Sequence, residues 1–363
     1  MENHPGRRAF LKHLTAIGGF LLFSPASFGS DRPCSAANCF DTDFISFGYD
    51  GFFQKYLKYC NSANREKIIT GISVPMVLRD LFQSFSLYKA VNISQDRLNA
   101  ISDNYLLFQI EGELGGQIPF RGIVSRPKSP RGYCVLLHGM ASTPERCFSL
   151  EKDYMGAIAH KLSEAGFAVW CPFLPQGGNF PSMIEAALML SGNGLSHHAM
   201  LCSLAVCQNS VFSRIGLNPK SSYAIFGASI GGLIALHTSL IDPKIYAIAI
   251  SGYLRDDNLL KNDPAYLKSL RSGSFFPGNL NPAFIDYAMP SIFKRIPKIP
   301  IFFEVGNADA YSSVSLGRKK AYETARKAFG TKENLVKLEV HSGGHEVVGD
   351  TVIDWLVTVG HPR

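Results

Sequence analysis

The sequence predicts an α/β fold, in which a mostly parallel sheet is covered by helices on both faces. Continuous apolar runs of strand length, among them YCVLLHG, FAVWCPFLP and IPIFFEVG, alternate with stretches of helical periodicity. Strands of a parallel sheet are buried on both faces and therefore read as such continuous runs. Their alternation with helices indicates repeated β-α-β units, whose functional groups lie at the carboxyl ends of the strands.

The elements follow one another in order from residue 105 onward. YLLFQIEGEL and QIPFRGIVSRP, separated by Gly115-Gly116, predict an initial β-hairpin, because strand-forming residues flank a glycine turn. Six further strands bring the expected number to eight: YCVLLHG, FAVWCPFLP, Tyr223–Phe226, Ile245–Tyr253, IPIFFEVG and LVKLEVH. Helical patterns lie near 150–165, 196–213 and 315–329, and in VGDTVIDWLVTV.

Composition limits the class of protein. The 363 residues are 46% hydrophobic and 18% charged, which suits one large α/β domain with an extension, or two modest domains. The formal net charge is +7, but lysine and arginine are scattered and form no basic stripe with interleaved aromatic residues. Nucleic acid is therefore not an expected partner.

The N-terminal segment, residues 1–29, resembles a twin-arginine export signal of bacteria. Arg7-Arg8 are followed by Phe10-Leu11-Lys12 and then by an apolar run, Leu14 to Phe23, which is too short and too rich in glycine for a transmembrane helix. Cleavage is expected near Ser27-Phe28-Gly29. We therefore expect the twin-arginine export machinery as a partner and a periplasmic or secreted location; a basic start followed by an amphipathic helix is the alternative.

The rest of the chain divides into two further parts. Residues 30–103 read as a loose linker followed, over about 44–102, by an amphipathic helical extension, and residues 104–363 as the α/β domain. Within that domain, residues 255–297 are irregular and rich in proline, asparagine and serine. Such a segment is expected to form a cap over the carboxyl ends of the strands, or simply to pack on the surface.

All eight cysteines lie beyond the export segment, and their even number permits disulfides in an exported protein. Cys202 and Cys207 are expected near each other on one helix, whereas Cys134 and Cys171 fall within strands and are expected to be buried thiols. The pairing cannot be read from the spacing. No Cys-x-x-Cys motif indicates a zinc site.

Chemically active residues follow four of the expected strands. His138-Gly139-Met140 come after YCVLL, and the sequence Gly-Ala-Ser-Ile-Gly places Ser229 after the run that ends at Phe226. Asp309 follows IPIFFEV, and His345 follows LVKLEV. The carboxyl ends of parallel strands lie at one edge of a sheet, so these groups are expected to meet there.

The residue types at these positions suit nucleophilic catalysis. A serine hydroxyl needs an adjacent base, so His345 is expected to take the proton of Ser229 while Asp309 orients the imidazole. The backbone N–H groups of Ile230 and Met140 are expected to form an oxyanion hole. The glycines on either side of the serine are explained by the crowding of a sharp turn between a strand and a helix.

Other residues compete for these roles. Asp256 and Asp257 are the alternative acids and His341 the alternative base, whereas His138 is expected to be structural. His197-His198 are adjacent and so face different sides of a helix, which argues against a metal pair. No His-Glu-x-x-His, phosphate-loop or dinucleotide motif is present, so no cofactor is expected.

These motifs together resemble the α/β-hydrolase fold superfamily, and within it the dienelactone hydrolase and acetyl-xylan esterase type, over roughly residues 105–360. The resemblance is carried by VLLHGM, FAVWCPFLPQGG, YAIFGASIGGLIALHTSLIDPKIYAIAISGYL, FFEVGNADA and SGGHEVVGDTVIDWL. It implies an eight-stranded α/β-hydrolase sheet and a carboxylic ester hydrolase that works through an acyl-enzyme without a cofactor.

Departures from this pattern bear on the substrate. Dienelactone hydrolases often use a cysteine nucleophile, whereas serine stands here, which favours the esterase type. The stretch Pro175-Gln176-Gly177-Gly178-Asn179 differs from that group's usual pocket wall. Two other functions stay open: a peptidase related to prolyl oligopeptidases, whose usual large N-terminal propeller does not fit the roughly 100 helical residues here, and a binding protein that kept the fold without turnover.

Overall fold

A nine-stranded sheet lies at the centre of the part of the chain that the structure describes. The structure is a computed structural model and describes residues 90–99, 101–114, 118–139, 142–149, 153–174, 202, 204–218, 222–256, 259 and 291–360. The strands are β1 (Ala90–Arg97), β2 (Tyr105–Leu114), β3 (Ile118–Pro127), β4 (Gly132–Leu137), β5 (Phe167–Pro172), β6 (Tyr223–Ala228), β7 (Ile245–Ser251), β8 (Ile301–Gly306) and β9 (Val336–His341).

The strands lie side by side in the order β1-β2-β3-β5-β4-β6-β7-β8-β9. The first three contacts, from β1 to β5, are antiparallel, and every contact from β5 through to β9 is parallel. The loops that follow β6, β7, β8 and β9 therefore emerge next to one another at the same edge of the sheet. This order brings side chains that are distant in sequence to one place.

Helices cover both faces of the sheet and create two separate apolar cores. The helices are α1 (Pro144–Cys147), α2 (Ile158–Glu164), α3 (Gln208–Arg214), α4 (Ile230–Thr238), α5 (Arg318–Phe329) and α6 (Asp350–Val359). Residues of α3, α4 and α5 belong to one core, and residues of α1, α2 and α6 to the other. Every residue of β5, β6, β7 and β8 is buried, which explains why these strands read as continuous apolar runs.

The predicted mostly parallel α/β sheet with helices on both faces is confirmed, as are the initial hairpin and the six strands after it. The helix expected near 150–165 is shorter, because the described part contains the single turn α1 and then α2, which begins at Ile158. The closing helix begins at Asp350, after Gly349 adopts a left-handed conformation with φ 81°.

Two expectations are wrong in the same place: the sheet has nine described strands rather than eight, and residues 90–97, which were expected to be helical, form β1. β1 pairs antiparallel with β2 from Ala90↔Leu114 to Arg97↔Phe108 and contains an irregularity where Asn92 takes φ 53°. Most of its residues are exposed, and only one side contacts the core. Pairing with the open edge of β2 decides this structure, because local periodicity is weak in so short a polar segment.

Several other expectations concern residues outside the described ranges. These include the export signal, the linker, most of the helical extension and most of the segment 255–297. Among the helices that the structure does describe, none is both long and apolar enough to cross a membrane.

The cysteines of the described residues are buried free thiols: Cys134, Cys147, Cys171, Cys202 and Cys207. The expectation that Cys134 and Cys171 are buried thiols within strands is confirmed. Cys202 and Cys207 are likewise reduced, and burial raises the pKa of each to about 12. Thiols with such pKa values are poor nucleophiles at neutral pH, so they do not compete with a serine for that role.

Candidate active site

Ser229 occupies a sharp turn between β6 and α4. Its φ of 53° and ψ of −126° lie in a region that residues with a side chain rarely adopt. The Ser229 N–H donates a hydrogen bond to the backbone oxygen of Ser251, the last residue of β7, over 2.7 Å. The turn is therefore fastened to the neighbouring strand, and it lifts the serine side chain above the edge of the sheet.

The glycines around Ser229 are required by space. A Cβ atom on Gly227 would lie 2.2 Å from the backbone oxygen of Gly231, and a Cβ on Gly231 would lie 2.2 Å from the backbone oxygen of Leu137. Both obstacles are main-chain atoms of packed elements, so neither can move aside cheaply. The glycine spacing seen in the sequence thus has a steric cause in the contact between α4 and the ends of β4 and β6.

The structure brings Ser229, His345 and Asp309 together in one hydrogen-bonded chain. His345 Nε2 lies 3.0 Å from Ser229 Oγ, and His345 Nδ1 lies 3.0 Å from Asp309 Oδ2. A carboxylate can only accept, so Nδ1 carries the proton of the neutral imidazole and Nε2 is left to accept from the serine hydroxyl. The imidazole is thereby held in the tautomer that a general base requires.

Asp309 is buried and fixed from two sides. The residue is 1% exposed, and its second oxygen, Oδ1, accepts the N–H of Tyr311 over 2.7 Å. Each carboxylate oxygen therefore has a donor. The Asp309 carboxylate is therefore held in one orientation, and it orients the His345 ring.

The loop that carries His345 is fastened to the loop that carries Asp309. The N–H of Asn307 donates to His341 O over 2.7 Å, and the N–H of Ala308 donates to Gly343 O over 3.0 Å. A Cβ on Gly306 would lie 2.0 Å from the backbone oxygen of Gly344, so the two loops touch at their backbones. The acid and the histidine are consequently positioned as one unit.

Two tyrosine rings that no sequence motif predicts contact the His345 imidazole. Tyr154 stacks on it with ring centroids 5.7 Å apart and planes 28° apart, and Tyr311 meets it at 4.8 Å and 55°. Burial raises the pKa of both phenols; the carboxylate of Asp153 adds to this at Tyr154, and that of Asp309 at Tyr311. Both phenols are therefore neutral at physiological pH. Their rings, packed against the imidazole, restrict its rotation.

His138 fixes the loop after β4 and is no base for the serine. It is fully buried, its Nδ1 donates to Gly139 O over 2.9 Å, and its Nε2 accepts the N–H of Leu174 over 2.9 Å. Burial lowers its pKa to about 4, so it is neutral at physiological pH. The structural role expected for His138 agrees with these contacts, which join the ends of β4 and β5.

Of the two expected oxyanion-hole donors, Ile230 and Met140, the structure describes Ile230. Ile230 is the first residue of α4, and the opening N–H groups of a helix have no partner within it, so the Ile230 N–H is available next to Ser229. Gly139 lies against the serine, because a Cβ there would be 2.8 Å from Ser229 Cβ and 2.0 Å from the Tyr154 hydroxyl. Met140, the expected second donor, lies outside the described residues.

The alternative acid and base have other partners. Asp256 is buried and forms an ion pair with Lys320 at 2.7 Å. His341 Nδ1 accepts the N–H of Gly343 over 3.1 Å, which supports the turn before His345. Asp257 and His197-His198 lie outside the described ranges, and within those ranges no group of three or more potential ligands forms a metal site.

Comparison with known proteins identifies the fold. No family model and no curated protein matches the chain. Acetyl xylan esterase 1 from Thermoanaerobacterium sp. is similar in structure, with a TM-score of 0.52 at 14% identity, over 78% of this chain and 93% of that one. An acetyl xylan esterase from Paenibacillus sp. R4 gives 0.54 at 11% over 80% and 95%, and a methylesterase gives 0.52 at 16% over 85% and 68%. The chain has the α/β-hydrolase fold.

Gly231→Ala tests the steric account of the turn. We expect its melting temperature and its rate of reaction with a serine-directed fluorophosphonate both to fall, because forcing a methyl group into such a contact typically costs about 1–3 kcal/mol. Gly344→Ala is the matched control, since a Cβ there meets nothing within 4 Å. A Gly231→Ala protein with wild-type melting temperature and labelling rate would contradict the account.

Proposed function

We propose that the protein is a serine hydrolase that cleaves carboxylic esters through an acyl-enzyme. The observation that carries the proposal is the chain of two 3.0 Å hydrogen bonds from Ser229 through His345 to Asp309, placed at the carboxyl edge of the parallel strands. Carboxylate, imidazole and hydroxyl in this order form the arrangement that activates a serine for acyl transfer.

The reaction follows from this arrangement in two halves. Ser229 Oγ attacks the carbonyl carbon of the ester while its proton passes to His345 Nε2, and Asp309 stabilises the imidazolium. The oxygen of the tetrahedral intermediate accepts from the N–H of Ile230 and, we propose, from that of Met140. Collapse breaks the bond to the alcohol, which leaves with the proton from His345. Water then attacks the acyl-enzyme by the same steps in reverse, which releases the acid and restores Ser229.

The names of proteins with similar structures favour an ester over a peptide as the substrate. The similar structures with TM-scores above 0.5 reported above bear the names acetyl xylan esterase and methylesterase. A serine at the turn suits this chemistry. We therefore propose a carboxylic ester with a small acyl or alkoxy group, on a small molecule, a carbohydrate or a lipid, as the substrate class.

We further propose that the protein works outside the bacterial cytoplasm. Arg7-Arg8 and the apolar run that follows them support passage through the twin-arginine export machinery and removal of residues 1–29.

A fluorophosphonate probe tests the nucleophile. We expect wild-type protein to be labelled at Ser229 with complete loss of turnover, and Ser229→Ala to fold but remain unlabelled, because the attacking oxygen is then missing. Mass spectrometry of the labelled peptide locates the adduct. Folded wild-type protein that resists the probe would favour a binding protein without turnover.

Paired chromogenic substrates test the bond that is cleaved. We expect p-nitrophenyl acetate to be hydrolysed with a kcat/KM at least about a hundredfold above that for prolyl or acyl-aminoacyl p-nitroanilides, and the ratio of the two rate constants measures the preference directly. Ser229→Ala serves as the blank for spontaneous hydrolysis. The reverse preference would replace the esterase proposal with the peptidase alternative.

A further inference from the structure

One buried carboxylate near the site has no part in the reaction described above. Glu304 lies within β8, and only 1% of it is exposed. The hydroxyl of Ser251 donates to its Oε2 over 2.6 Å, and the backbone N–H of Gly349 donates to its Oε1 over 2.7 Å. Burying a carboxylate is costly unless such donors replace water, and here each oxygen has one.

The first partner of Glu304 leads to the nucleophile. Ser251 is the last residue of β7, and its backbone oxygen accepts the N–H of Ser229 over 2.7 Å. The backbone of Glu304 adds a second link, because its carbonyl accepts the N–H of Gly252 over 2.8 Å. Gly252 in turn lies against the histidine, since a Cβ there would be 3.0 Å from His345 Cε1.

The second partner leads to the base. Gly349 lies four residues after His345 and precedes the first turn of α6, in a left-handed conformation with φ 81°. Its N–H is one of the donors at the start of that helix, where a negative charge is favoured. The Glu304 carboxylate therefore fixes the far end of the loop that carries His345.

We infer that Glu304 is a positioning residue that couples the two halves of the catalytic chain. Through Ser251 it holds the strand end to which the Ser229 turn is fastened, and through Gly349 it holds the loop of His345. The distance between Ser229 Oγ and His345 Nε2 then depends on one side chain that touches neither atom. This role deepens the proposed hydrolase function and rests on it.

The variant Glu304→Leu separates a positioning role from plain support of the fold. Leucine fills the same strand position without burying a charge. It would pack among the apolar neighbours of β8 but would leave the Gly349 N–H and the Ser251 hydroxyl without this acceptor. Glutamine keeps an acceptor for Gly349 and offers an amide N–H to Ser251 Oγ, so it should restore most of the coupling.

The test measures kcat and KM for p-nitrophenyl acetate, with kcat expressed per active site titrated by the fluorophosphonate probe. For Glu304→Leu we expect kcat to fall about tenfold to a hundredfold with KM within about threefold, because small misplacements of reacting groups cost rates of this order. Glu304→Gln should recover kcat to within about threefold of wild type, because its amide oxygen can accept from the Gly349 N–H and its amide N–H can donate to Ser251 Oγ. Glu339→Leu, the same change at the paired position of β9, is the control and should match wild type.

Ser251→Ala keeps the experiment decisive if Glu304→Leu does not fold. It removes one of the two hydrogen bonds that the Glu304 carboxylate accepts and leaves the backbone contact between residue 251 and Ser229. We therefore expect at least about a threefold fall in kcat per active site with KM unchanged. Wild-type kcat per titrated site in Glu304→Leu, or in Ser251→Ala where the former does not fold, would overturn the inference. So would a loss confined to KM, or an equal loss in Glu339→Leu. Failure of the hydrolase proposal would show in the wild-type protein, before any variant is compared.

Discussion

The hydrogen bond between Ser229 Oγ and His345 Nε2 is the contact on which the account of this protein depends. It joins two residues 116 positions apart in the chain over a distance of 3.0 Å. Ser229 is held by a strained turn that only glycine neighbours permit. Such strain persists only where the surroundings fix it, and here the contacts of α4 with the strand ends provide that constraint.

The parallel sheet brings Ser229 and His345 together at low entropic cost. Because β6, β7, β8 and β9 are neighbours in that order, the loops after them leave the sheet at one edge before any substrate arrives. The imidazole is restrained further by two tyrosine rings, by Asp309, and by a loop whose far end is hydrogen-bonded to Glu304 of β8. Groups held in this way do not have to be ordered during the reaction, which is a main source of enzymatic rate enhancement.

The sequence predicted the parts of this arrangement that obey local rules, and missed those that depend on tertiary contacts. Continuous apolar runs identified the buried strands, and the Gly-x-Ser-x-Gly spacing identified the turn, since both reflect requirements within a few residues. The sequence does not predict β1, because its polar segment becomes a strand only by pairing with β2. Tyr154 lies in a loop without any motif, and only the fold brings it to His345. Glu304 did leave a signal, a single charge inside an apolar strand, but its partners Ser251 and Gly349 are visible only in the structure.

A crystal structure of the phosphonylated protein would test the central claim most directly, because the phosphonyl group imitates the tetrahedral intermediate. The account predicts phosphorus bonded to Ser229 Oγ, a phosphonyl oxygen within hydrogen-bond distance of the Ile230 N–H, and His345 Nε2 facing the oxygen on the leaving-group side. An adduct on another residue would contradict the account. So would a phosphonyl oxygen directed away from the start of α4, with His345 turned from Ser229.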